Sequence, residues 1–127
     1  MYFLPRQRGR GSGFEQHVAS ILQSKGFRNI TRNVNSTCGE IDIIAWRGFS
    51  KYVFEVKKRS TRPITVYDVE RLWNKAKCEQ GIPVLVMSHN TGIKNDACKH
   101  AVYLGVIVKK THYRANDWID VCAPRFF

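Results

Sequence analysis

The chain has 127 residues, 43% hydrophobic and 24% charged, which excludes a disordered polymer and fits one domain with its own core. Its 21 Lys and Arg against 10 Asp and Glu give a formal net charge of +11, so a polyanionic partner, nucleic acid first, is expected before a merely solubilising surface. There is no apolar run long enough to cross a membrane, and the opening MYFLPRQRGRGSG has its charges on the wrong side of a short apolar piece for a signal peptide; an intracellular, cytoplasmic protein is expected.

Residues 1–11 carry Arg6, Arg8 and Arg10 among glycines. They read as a flexible basic arm, either a clamp on phosphates or a frayed terminus, ahead of a single domain over residues 12–127. The first helix is expected from Gly13 to Lys25, with Ser12 as cap, Gly26 as stop, and Phe14, Val18, Ile21 and Leu22 on one stripe. Glu15 has two readings. Ser12-x-x-Glu15 fits a capping box, yet Glu15 also lies at the edge of the core stripe, where a carboxylate can reach a site on a sheet.

A strand over residues 27–34 and a loop over residues 35–39 follow. They lead into two strands dominated by β-branched and aromatic residues, Glu40–Ala45 and Tyr52–Lys57, joined by the turn Arg47–Ser50. Lys58, Arg59 and Arg62 form a basic loop ending at Pro63 and, with the arginines of the arm, are the expected nucleic-acid contacts. Thr65-x-x-Asp68 is a second capping-box match before a helix from Val66 to Glu79. Val69, Leu72, Trp73 and Ala76 are expected inward, with Arg71, Lys75 and Lys77 on a solvated face. Ile82–Met87 reads as a central strand buried on both faces. Asn95–Leu104 reads as a helix with Ala97, Cys98, Ala101 and Val102 inward. Val106–Val108 and an edge strand at Trp118–Cys122 complete the order. It predicts an α/β fold around a mixed sheet.

Cys38, Cys78, Cys98 and Cys122 show no zinc-type spacing. Free thiols are expected, with a Cys78–Cys98 bridge as the alternative for a hyperthermophilic source. The sequence has neither GxGxxG after a strand nor GxxxxGK[ST], so no nucleotide cofactor is indicated. The four histidines are scattered; His89, after the apolar strand, could approach the edge of a site.

The chemistry concentrates between Cys38 and Lys58. Asp42 sits among isoleucines, and Glu55 and Lys57, two apart on a strand, share a face. An acid in a sheet interior is costly unless it is paired or holds a metal. A salt bridge with Lys57 is the structural explanation. The functional one is phosphodiester hydrolysis, with Asp42, Glu55 and the Val56 carbonyl as oxygen ligands of Mg²⁺, for which Mn²⁺ could substitute. Lys57 would orient the attacking water or stabilise the developing charge. Glu40, on the face of Asp42, is read as the partner of a nearby Arg or Lys.

Gly39-Glu40-Ile41-Asp42 followed by Phe54-Glu55-Val56-Lys57 resembles the PD-(D/E)xK nuclease superfamily, over roughly residues 8–110. The resemblance implies a restriction-endonuclease-like αβββαβ core and makes Glu15 the additional acid of the site, with Asp42, Glu55 and Lys57. Ile41 stands where a proline often precedes the first acid. Arg8-Gly9-Arg10-Gly11, Tyr67–Leu72 and Gly81–Val86 are similar to archaeal Holliday-junction resolvases. Ser88–Gly92 and the Ala97–Gly105 helix look more like Mrr-type catalytic domains. These likenesses imply a DNA endonuclease of recombination or repair, acting on branched DNA as a homodimer. A sequence-specific restriction-type or homing nuclease, and a non-catalytic nucleic-acid-binding module on the same fold, are the alternatives.

Overall fold

The computed structural model describes residues 12–112 and 116–122. The expected basic arm, with Arg6, Arg8 and Arg10, and the C-terminal phenylalanines lie outside them. The chain runs α1 (Ser12–Ser24), β1 (Arg28–Ser36), β2 (Gly39–Arg47), β3 (Ser50–Lys57), α2 (Val66–Glu79), β4 (Ile82–Ser88), α3 (Asn95–Leu104), β5 (Ile107–Thr111) and β6 (Trp118–Val121). The six strands form one sheet in that spatial order. β1, β2 and β3 are antiparallel, β3, β4 and β5 are parallel, and β6 returns antiparallel. The two parallel steps are the ones that contain a helix, as a crossover requires.

Each face of the sheet carries its own apolar layer. Phe14, Val18 and Leu22 of α1 pack on Ile43, Ala45, Phe54, Val84 and Val86. Val69, Leu72 and Ala76 of α2 and Ala97 and Ala101 of α3 pack on Val53, Leu85, Met87 and Val108. The first-helix stripe Phe14, Val18, Ile21 and Leu22 is fully buried, as its spacing predicts. Strand alternation then sends Phe54 and Val56 toward α1, and Val53, Glu55 and Lys57 toward α2.

Several details depart from the sequence-based expectations. The loop expected over residues 35–39 is a tight hairpin: Ser36 pairs with Gly39, leaving Thr37 and Cys38 as the turn. Ser36 Oγ accepts the Cys38 N–H at 3.0 Å, and Gly39 adopts φ 109°. Val102, expected inward, is exposed, because the small residues Ala97 and Ala101 make the buried line of α3 narrow. The thiols are not free. Cys38 bonds Cys78, tying the β1–β2 turn to α2, and Cys98 bonds Cys122, tying α3 to the end of β6. The alternative Cys78–Cys98 pairing is therefore not the one formed.

Candidate active site

The β2–β3 ladder runs from Arg47↔Ser50 to Ile43↔Phe54 and stops there. One step further, the Asp42 side chain takes the place of the ladder: its Oδ2 accepts the Val56 N–H at 2.8 Å. β3 stays in the sheet through its other edge, where Glu55, Val56 and Lys57 pair with Leu85, Val86 and Met87. The two strands thus separate just where their acids begin, and Asp42 and Glu55 sit in the opening.

Electrostatics at Asp42 reflects this crowding. Burial, then the Glu55 charge, push the Asp42 carboxyl up to about 7, with Glu15 adding to the rise. The Val56 N–H and the Lys57 charge oppose it without cancelling it. An acid held that far above its ordinary range beside a second carboxylate marks a candidate functional site.

Two lysines bring positive charge to Glu55. Lys57 Nζ lies 3.2 Å from Glu55 Oε2, so the shared strand face brings the pair together. Lys75 of α2 approaches the other oxygen, Glu55 Oε1, at 3.7 Å and donates to the Glu40 carbonyl at 2.6 Å. Lys75, expected on a solvated face, is a site residue: its side chain is only 14% exposed. Its position between the buried Leu72 and Ala76 and the long aliphatic stem explain how it reaches the sheet edge. Glu40 meets this lysine through its backbone; its side chain is exposed.

Glu15 arrives from the first turn of α1. Its Oε1 stands 3.5 Å from Arg32 of β1. Burial raises its pKa, Arg32 pulls it back, and the Glu55 charge raises it again. Glu15, Asp42 and Glu55 thus stand within electrostatic reach of one another. Among the described residues no three His, Cys, Asp or Glu side chains form a preformed metal cage. The oxygen donors of Asp42, Glu55 and the Val56 carbonyl are of the kind that a hard ion keeping several waters would take.

The end of β3 is fixed by a compact polar hub. Arg59 makes a two-pronged contact with Asp68, Nη1 to Oδ2 at 2.9 Å and Nη2 to Oδ1 at 3.1 Å. Asp68 also accepts the Thr65 N–H at 2.9 Å, as the capping-box spacing predicts. Burial works against the Asp68 charge, but the Arg59 and Thr65 hydrogen bonds and the Arg59 and Lys57 charges outweigh it and hold the carboxyl down at about 2. Thr91 Oγ1 accepts the Arg59 N–H at 2.8 Å and exchanges a hydrogen bond with the buried Ser88 hydroxyl. Arg59, expected on phosphate, is thus committed to Asp68, whereas Lys58 and Arg62 are exposed on the same loop. His89 packs its ring on His112, with centroids 4.0 Å apart.

Comparison with known proteins puts this geometry in a lineage. The model of the uncharacterised protein family UPF0102 matches residues 14–82, more than half of the chain and the whole stretch that carries the acids. A relative from Mannheimia succiniciproducens, itself a UPF0102 protein, is 37% identical over 59 residues, covering 46% of this chain and 48% of its own. The chain spans about half the length of the curated relatives it matches. Among solved structures, a repair endonuclease from Pyrococcus abyssi superposes with a TM-score of 0.61 at 17% identity, over 88% of this chain and 50% of its own. Archaeoglobus fulgidus Hjc, a Holliday junction resolvase, gives 0.52 at 22% identity, over 87% and 70%. These two likenesses are of fold, and the fold is restriction-endonuclease-like, as the motif predicts.

Proposed function

The chain belongs to the uncharacterised protein family UPF0102, and from that premise we propose that it is a divalent-metal-dependent DNA endonuclease. Its substrate is branched DNA, cut as a homodimer in recombination or repair. The observation that carries this reading is the opened β2–β3 ladder, with Asp42 pushed up to about 7 beside Glu55 and Lys57. A raised acid in an opened ladder beside a second acid and a lysine supports a functional site over a purely structural ion pair. The name of one fold neighbour, a Holliday junction resolvase, supports the choice of substrate.

In this reading Asp42 and Glu55, with the Val56 carbonyl, hold Mg²⁺ or Mn²⁺. When bound, the ion offsets the carboxylate charges, activates water and polarises the scissile phosphate. Lys57, on the Glu55 face, then turns its ammonium to the negative charge that develops on the phosphoryl oxygens. Lys75 anchors the Glu55 carboxylate from the side of α2 and keeps one oxygen directed into the site. Glu15, with its raised pKa, orients water by accepting its hydrogen bond. Exposed Lys58 and Arg62 meet neighbouring phosphates, and Arg6, Arg8 and Arg10 extend the contact along the DNA.

The test uses a labelled four-way junction and a linear duplex of the same arms, with and without Mg²⁺. Metal-dependent cleavage of the junction, lost in Asp42→Ala, is expected. Cleavage that survives EDTA, or is unchanged in Asp42→Ala, would overturn the mechanism. Cutting of the linear duplex at a consensus would make it a sequence-specific nuclease, and binding without cutting in either metal a non-catalytic module.

A further inference from the structure

The α1 face of the sheet carries a second feature that the acid cluster does not use. A cavity of about 200 Å³ opens near the C-terminal end of α1, walled by Phe27, Tyr52, Phe54 and Trp118. Three cations stand over these rings: Arg47 lies 4.6 Å from the Phe27 centroid, Lys25 5.4 Å and Lys109 5.6 Å from the Trp118 ring. Asp117 contacts Lys25 at 2.7 Å and Asp120 contacts Lys109, so Arg47 is the cation at this mouth without a carboxylate beside it among the contacts of the described residues. Its guanidinium also lies 5.8 Å from the Tyr52 ring. Flat apolar walls with guanidinium and ammonium groups at the rim match a planar heterocycle attached to a phosphate.

A groove of about 600 Å³ lies between α1 and β1, on the way from the cavity toward Glu15. Phe27 lines both spaces. At the other end the groove is lined by Arg32, the residue that contacts Glu15. Between them it presents Gln16, Gln23, Arg28 and Asn29, donors suited to a sugar–phosphate chain. From Glu15 to Ser24 the helix rises about 14 Å at 1.5 Å per residue, the reach of a short run of nucleotides.

We propose that this groove is a track for an unpaired DNA strand and that the aromatic cavity receives one of its bases. The proposal rests on the nuclease reading and sharpens it: the preferred substrate carries single-stranded or unstacked nucleotides beside the cut. A duplex cannot offer a base to the cavity without unpairing it, so unpaired DNA is favoured by the stacking gained there.

Affinity is measured by fluorescence anisotropy in EDTA, with a labelled oligothymidine and a blunt duplex of equal length. Because no metal is present, the outcome is independent of whether the acids cleave DNA. Trp118→Leu and Arg47→Gln are each expected to weaken oligothymidine binding about tenfold, the scale of one lost base–aromatic contact, and duplex binding less than twofold. Equal weakening of both DNAs, or of neither, would overturn the track. Arg47 is exposed, so Arg47→Gln decides the matter if Trp118→Leu does not melt cooperatively.

Discussion

Asp42 is asked to do two incompatible things in the metal-free protein: to cap the Val56 N–H as an acceptor and to share a small opening with Glu55. Its carboxyl, pushed up to about 7, binds a proton more tightly in the folded than in the unfolded chain, where it titrates in the usual range near 3.8. The sign follows from linkage. Metal-free stability is not reduced by this group below about pH 4, and falls as pH rises through 7. Asp42→Asn keeps an acceptor oxygen for Val56 and removes the charge. In EDTA at pH 8 it should therefore melt above the wild type, by on the order of 2–4 kcal/mol, with the gain shrinking toward pH 5. Mg²⁺ should raise the melting temperature of the wild type and not of the variant. Equal melting temperatures at both pH values would remove the charge crowding from the account. Lys75 shows what the motif leaves out. The sequence pairs Lys57 with Glu55 through the period of a strand, but a lysine between two inward helical positions gives no sign of which way its stem runs. Lys75→Met keeps the stem and removes the contacts to Glu55 and Glu40. It should lower the cleavage rate about tenfold while leaving the melting temperature within a few degrees, measured by single-turnover cleavage and thermal melts.

At the scale of elements, the helices and the central strands follow the sequence closely. The Thr65–Asp68 capping box and the αL residue Gln80 bracket α2 at both ends. The tight β1–β2 hairpin was hidden by its polar, Asn- and Ser-rich sequence, which reads as loop chemistry until the opposite strand supplies hydrogen-bond partners. The cystines were hidden for a different reason. Cys38 and Cys78 stand 40 residues apart, and nothing in that spacing records that a hairpin turn comes to rest against a helix. Their bond has a functional consequence, because it anchors α2 three residues beyond Lys75 and the hairpin four residues before Asp42. By loop-closure entropy alone a cross-link of this span stabilises the fold by about 4 kcal/mol, and the shorter Cys98–Cys122 loop by slightly less. The two should differ in function more than in stability. Replacing Cys38 and Cys78 by Ser should lower both the melting temperature and the cleavage rate. Replacing Cys98 and Cys122, on the far side of α3, should lower only the melting temperature. Equal kinetic losses in the two double variants would show that the first bond has no special hold on the site.

Over the whole molecule, the chain order of strands and helices is enough to dictate the mixed sheet, because β3, β4 and β5 are linked only by helical crossovers and so lie parallel. The same reading picked out Glu15, Asp42 and Glu55 as candidate acids from two adjacent strands and one helix start. Side-chain commitments among the many basic residues were not readable from sequence. A net charge of +11 leads one to expect a polyanionic partner, yet it does not separate cations that face solvent from cations already spent inside the fold. Arg59 and Arg62, three residues apart on one loop, make the distinction measurable. Arg62 is exposed, and a phosphate contact there releases one condensed counterion on binding. Arg59 is held by both oxygens of Asp68, so its charge is largely balanced before DNA arrives. Duplex affinity measured in EDTA from 50 to 300 mM salt should fall linearly on a double-logarithmic plot. Arg62→Gln should make the slope shallower by about 1 and leave the melting temperature unchanged. Arg59→Gln should leave the slope nearly unchanged and lower the melting temperature, because it strands a buried carboxylate that loses its partner. If the two substitutions change the slope equally, Arg59 gives up Asp68 to bind phosphate, and the loop after β3 rearranges when DNA binds.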